Sequence, residues 1–290
     1  MVYWTCLASL LLVLASFADI RHRAVDPQSR VASVKRVFVV ILENTDASVA
    51  ESLPFVAQLA ARGAVLRNDR CLGHPSQPNY LALVSGSAQG ITGSASVSID
   101  APHVGDLVER RGLNWKIYAE RFPGGCYLGD TFGTIPEGQY VRRHVPFLSF
   151  IDVQQNLARC IAHVVNARNF DDDLVAGTLP ALSIYVPDNQ HNGHDSTPPL
   201  ADSWLESRFG PLIDDPRFMD GTLFIVTYDE SASADLRVTT VLVGSMVRAG
   251  VSAFEPYDHY DLLRTLENLL GLGTLGRSDA TARPITGIWR

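Results

Sequence analysis

Three long apolar runs limit what this chain can fold into. They are "VKRVFVVIL" (34–42), "GTLFIVTYDE" (221–230) and "VTTVLVGS" (238–245), and β-branched residues fill them. A strand that is apolar at consecutive positions has no face to give to water, so both faces must be covered. "NWKIYAE" (114–120) and "LPALSIYVP" (179–187) read as further strands. Between these runs the spacing turns helical. "SLPFVAQLAARG" (52–63) repeats apolar residues at Leu53, Val56, Leu59 and Ala60 and stops at Gly63. "NLARCIAHVVN" (156–166) and "PLADSWLESRFGPLI" (199–213) are helical. "YDHYDLLRTLENLLGL" (257–272) puts Tyr260, Leu263, Leu266, Leu269 and Leu270 on one face. Buried strands alternating with helices predict an α/β fold with a mostly parallel central sheet flanked by helices. Residues 121–150, rich in Gly, Pro and aromatics, read as a loop-rich insertion.

The chain has 290 residues, 46% of them hydrophobic, enough for one large core. Residues 7–14 are an almost unbroken apolar run and lead into Ser16-Phe17-Ala18, the pattern of a secretory signal peptide, with an uncleaved anchor as the alternative. The expected organisation is a signal peptide at 1–18, a mobile leader at 19–33 and one domain at 34–290, with a secreted product carrying no stable membrane anchor. A net charge of −7 without a basic run excludes a phosphate-backbone partner, so no nucleic acid is expected. No Gly-x-Gly-x-x-Gly follows the first strand, which disfavours a dinucleotide site. Cleavage would leave Cys71, Cys126 and Cys160, of which two pair in an oxidising compartment; spacing alone does not choose them.

In an open parallel sheet, sites form at the carboxyl ends of the strands. Here two buried runs end in oxygen donors: "VVILENT" in Glu43 and Asn44, and "FIVTYDES" in Asp229 and Glu230. Turn chemistry explains either pair alone. Together they bring three carboxylates and an amide to one edge, a ligand set for a hard divalent cation of the Mg²⁺, Ca²⁺ or Mn²⁺ type. Ser76, in "HPSQPNY", opens a helix, where it is either an ordinary N-cap or a nucleophile activated by that cation. The helix N-terminus favours a bound phosphate, and Asn79 would add a donor. "NQHNGHDST" places His191, His194 and Asp195 beyond a strand end, and His194 is the candidate acid. "YDHYDLL" carries His259, and "YVRRHVPF" a basic triplet, Arg142, Arg143 and His144, one of which would clamp phosphate oxygens.

These motifs, in this order, resemble the phosphoesterase family of secreted acid phosphatases and bacterial phospholipases C, a branch of the alkaline phosphatase superfamily. The resemblance is strongest to fungal-type acid phosphatases and rests on "VFVVILENT", "HPSQPNYLALVSGS", "RRHVPFLSF", "DNQHNGHDST", "TLFIVTYDES" and the stretch ending "LGLGTLGR". It implies Glu43, Asn44, Asp229 and Glu230 as metal ligands, joined by Ser76 as the transiently phosphorylated nucleophile. It also implies His194 as an active-site histidine, Asp195, His144 and His259 around the phosphate, and a Cys126–Cys160 disulfide. Two departures stand out: "HVP" replaces the more usual "HNP" after His144, and Arg237 stands in the segment after "DE" where relatives carry a histidine. The second favours a single cation. The implied activity is hydrolysis of a small phosphomonoester. The alternatives are a phospholipase C-type phosphodiesterase and, of another class, a binding protein on a retired enzyme scaffold.

Overall fold

In a computed structural model, which describes residues 34–290 together with Met1, the expected sheet is present. The expectations for residues 1–33 otherwise lie outside the described residues. The strands are β1 (Arg36–Leu42), β2 (Ala64–Arg70), β3 (Trp115–Ala119), β4 (Thr131–Thr134), β5 (Gly138–Val141) and β6 (Val164–Asn166). They continue with β7 (Leu182–Val186), β8 (Thr222–Tyr228), β9 (Arg237–Val243), β10 (Val251–Ala253) and β11 (Tyr257–Asp258). Nine strands form the main sheet in the order β10-β2-β9-β8-β1-β7-β3-β6, with β11 also paired to β2. Only β9 runs antiparallel to its neighbours. The sheet is therefore mostly parallel, and helices cover both faces.

Strand β1 shows why the run had to be apolar throughout. Val37, Val39 and Ile41 join one core with Tyr80, Leu81 and Val84 of helix Ser76–Ser85 and Leu262, Leu263 and Leu266 of helix His259–Leu270. Phe38, Val40 and Leu42 join the opposite core with Phe55, Val56 and Leu59 of helix Pro54–Arg62, and Leu205 and Phe209 of helix Pro198–Phe209. Phe38 alone meets Phe170 at 5.0 Å and Phe218 at 5.1 Å between ring centroids.

Several elements differ from expectation. The helix read over 156–166 ends at His163, and Val164–Asn166 becomes edge strand β6, paired in parallel with β3. β-branched Val164 and Val165 pack on the pleated surface that β3 offers. β2, β10 and β11 have no counterpart in the sequence reading. β2 ends in "RNDR", a polar tail that hid an otherwise buried strand. The 121–150 insertion holds the two-stranded β4–β5 hairpin, and a disulfide between Cys126 and Cys160 ties it to helix Leu157–His163. Cys71 is buried and free.

Candidate active site

Parallel register builds the site. Leu42 of β1 lies opposite Tyr228 of β8, so the next residues, Glu43-Asn44 and Asp229-Glu230, leave the sheet side by side. Backbone bonds continue past the strands, from Asp229 N to Leu42 O (3.0 Å) and from Thr45 N to Glu230 O (3.2 Å). Asn44 turns the chain with a φ of 29°, a left-handed conformation that Asn tolerates better than most residues. β2 runs parallel to β8 and ends at the same edge, and after five intervening residues helix Ser76–Ser85 begins.

Ser76 is the first helical residue, with Pro75 before it as the cap. Its hydroxyl does not cap the helix. Ser76 Oγ lies 3.1 Å from Glu43 Oε2 and 3.1 Å from Glu230 Oε1. One helical turn on, Tyr80 donates its hydroxyl to Glu43 Oε1 at 2.5 Å. Asn44 Nδ2 donates to Glu230 Oε1 at 3.0 Å. Glu43, Ser76, Asp229 and Glu230 are each almost fully buried.

The electrostatics of this cluster fit a cation. Burial pushes the Glu43 carboxyl up to about 7, and the charge of Glu230 adds to the effect. Burial, then the charges of Glu43 and Glu230, hold Asp229 well above the carboxylate range. Asn44 Oδ1 and Asp229 Oδ2 are buried without a hydrogen-bond partner. Buried carboxylates with spare oxygen lone pairs could hold a hard divalent ion, which would offset both the like charges and the desolvation.

Histidines close the site. Loop 188–197, after β7, is locked to β1 by the bond from Glu43 N to Asn192 O (2.9 Å). His194 Nδ1 lies 2.7 Å from Asp195 Oδ1, and Asp195 Oδ2 accepts from Asn189 Nδ2 at 2.9 Å. The His194 ring lies 5.9 Å from that of His144. His144 stacks on Tyr80 at 5.3 Å, with Nε2 3.3 Å from Glu43 Oε1. Burial, and then the charge of Arg143, hold His144 neutral, well below the usual histidine range.

Several side chains take parts other than those expected. Asn79 spends its amide on the 72–75 turn, accepting from Leu72 N (2.8 Å) and donating to Gly73 O (2.7 Å) and Pro75 O (3.2 Å). It shapes the serine's approach and has no N–H left for a phosphoryl oxygen. Asp195 turns one oxygen to the His194 ring and the other to Asn189, so both face protein donors. His259 is buried and bonds the Asp229 carbonyl through Nε2 at 2.6 Å, bracing the end of β8 from behind. Arg142 is buried against the carbonyls of Leu128, Val97 and Leu148. His191 bonds Glu120 at 2.5 Å, beside a cavity of about 310 Å³ that also borders Asp188. Arg237 pairs with exposed Asp235.

Two residues of the site were not singled out from the sequence. His74 Nδ1 lies 2.8 Å from Glu230 Oε2, and Tyr80 holds Glu43. The signal was in "HPSQPNY" itself: Ser76 and Tyr80 are four apart, on one helix face.

A mostly parallel sheet with an oxygen-rich nest at its carboxyl edge has the fold of the alkaline phosphatase superfamily. The solved structure of a superfamily protein from Vibrio parahaemolyticus matches it with a TM-score of 0.58 at 14% identity, over 87% of this chain and 71% of that one. The chain belongs to the phosphoesterase family, whose model matches residues 48–273. It is similar to a probable acid phosphatase of Kluyveromyces lactis, 32% identical over 87% of this chain and 62% of that protein. It is also similar to a phosphatidylinositol-3-phosphatase of Mycobacterium tuberculosis, 31% identical over 90% of this chain and 85% of that protein. The chain thus spans less than two thirds of its yeast relative.

Proposed function

We propose that this protein is a metal-dependent phosphatase that hydrolyses small phosphomonoesters through a phosphoserine intermediate. The observation that carries the reading is the Ser76 hydroxyl, 3.1 Å from each of two buried glutamates contributed by separate strands. An N-cap serine would turn to its own helix; this one turns to the carboxylates. Relatives named as acid phosphatases support the same reaction class.

Glu43, Asn44, Asp229, Glu230 and Ser76 would hold one divalent ion. Bound there, the ion lowers the serine hydroxyl's pKa and offsets the charge of the transferring phosphoryl group. Ser76 Oγ attacks phosphorus, and its proton has carboxylate acceptors in Glu43 and Glu230. The bond from phosphorus to the leaving oxygen breaks, its electron pair stays on that oxygen, and His194 supplies the proton. Asp195 fixes the His194 ring for this transfer. A water molecule then attacks the phosphoserine, giving a proton back to His194; the bond from phosphorus to Ser76 Oγ breaks, and Ser76 leaves as a hydroxyl by taking back the proton held by Glu43 or Glu230. Tyr80, His74 and His259 keep the oxygen donors in place.

The test is phosphate release from p-nitrophenyl phosphate. Ser76→Ala is expected to abolish it with the melting temperature preserved. A chelator is expected to remove it reversibly, with a divalent ion restoring it. Normal turnover by Ser76→Ala would refute the nucleophile assignment. Residues 1–18 are proposed to direct export and be removed, so the secreted chain would begin at Asp19, which N-terminal sequencing reads.

A further inference from the structure

The basic triplet Arg142, Arg143 and His144 offered three candidates for one phosphate clamp, and the fold separates them. They form a single 3₁₀ turn whose first and third residues are buried and whose middle residue is half-exposed. Arg142 bonds three backbone carbonyls of the insertion. His144 lies against Tyr80 and Glu43. Among the described residues Arg143 has neither an ion pair nor a hydrogen bond. Other arginines around the carboxyl edge are engaged: Arg121 with Asp188, and Arg237 and Arg70 with Asp235. The turn packs against helix Ser76–Ser85, and Arg143 directly precedes His144, whose ring stacks on Tyr80. The Tyr80 hydroxyl is 2.5 Å from the glutamate that touches Ser76.

We infer that Arg143 is a specificity-determining residue, which reaches a non-bridging phosphoryl oxygen and thereby favours dianionic phosphomonoesters over monoanionic phosphodiesters. The inference rests on the phosphatase reading above and deepens it. A monoester presents an additional charged oxygen that a diester has esterified. A guanidinium with no anionic partner of its own gains a charge-assisted bond to that oxygen, which the diester does not offer. The surrounding carboxylates repel the same oxygen, so the arginine's contribution is selective for the more highly charged substrate.

Arg143→Ala and Arg143→Lys, metal-loaded and full-length, would be compared with the parent protein on p-nitrophenyl phosphate and bis(p-nitrophenyl) phosphate. Because Arg143 has no side-chain partner among the described residues, the melting temperature should hold. Arg143→Ala is expected to lower kcat/KM for the monoester by about 100-fold, as for loss of one oxyanion donor. The diester value should fall by less than about 3-fold, since this contact is missing there. Arg143→Lys should recover part of the monoester rate. Equal losses on both substrates, or none on either, would overturn the assignment. Calorimetry with inorganic phosphate needs no turnover and reads the residue even if the parent hydrolyses neither substrate, the result that would instead defeat the phosphatase reading. Weaker phosphate binding by Arg143→Ala supports the clamp, and unchanged binding rejects it.

Discussion

A leaving group's own acidity decides how much it needs His194. p-Nitrophenolate departs as a stable anion, whereas an aliphatic alkoxide must be protonated as it leaves. His194→Ala is therefore expected to lower kcat by about 100-fold or more on glycerol phosphate, in the range of general acid catalysis, and by much less on p-nitrophenyl phosphate. Equal losses on the two substrates would remove His194 from the proton transfer. The 2.7 Å pair with Asp195 gives that ring its orientation, as the 2.5 Å bond from Tyr80 gives Glu43 its own. Residue type alone separated the donors of this site from its supports poorly. Asn79 and His259 have the chemistry of phosphate binders, yet Asn79 spends its amide on the backbone of the 72–75 turn and His259 spends Nε2 on the Asp229 carbonyl.

Strand pairing sets the next level of constraint, and β2 shows it apart from the site. Its Asp69 is buried against β9, accepting from Thr240 Oγ1 at 2.5 Å, with Thr227 Oγ1 of β8 another 2.6 Å on. Burial pushes the Asp69 carboxyl up to about 7, with the nearby charges of Asp258 and Asp261 acting in the same direction. A raised carboxylate pKa means that the folded chain keeps a proton which the unfolded chain loses from about pH 4 upward. Stability contributed here is full at low pH, falls as the pH rises through that interval, and levels off above pH 7. Asp69→Asn is expected to flatten the melting temperature between pH 4 and 7, a difference on the order of 4 kcal/mol at full development. An unchanged pH profile would mean that Asp69 is ionised in the fold. The same pairing explains which elements could be read from sequence. β1, β7 and β8 are central and covered on both faces, so their composition declares them. β6, β10 and β11 are two or three residues long, and their strand character comes from a neighbour's edge.

The whole molecule closes around the insertion that carries β4, β5 and the basic turn. Its covalent tie, Cys126 to Cys160, spans 34 residues. Replacing both cysteines by serine restores loop entropy to the unfolded chain and should cost about 3 kcal/mol. In a domain of this size that lowers the melting temperature by roughly 6–12 °C, readable by calorimetry. A drop below about 2 °C would show the insertion to be held by its other contacts. The resemblance carried by the ordered motifs also implied that pairing, which cysteine spacing had left open. By itself the sequence determined the fold class, because runs with apolar and β-branched residues at consecutive positions, alternating with helices, predict a doubly covered sheet. It also marked the candidate oxygen donors at the strand ends, because carboxylates and an amide directly after buried strands are visible as letters. Only the tertiary structure decided that Glu43 and Glu230 share the Ser76 hydroxyl, that Arg142 is structural while Arg143 has no partner, and that Asn79 serves the turn. Those outcomes depend on register and burial between residues far apart in the chain, and local spacing does not encode them.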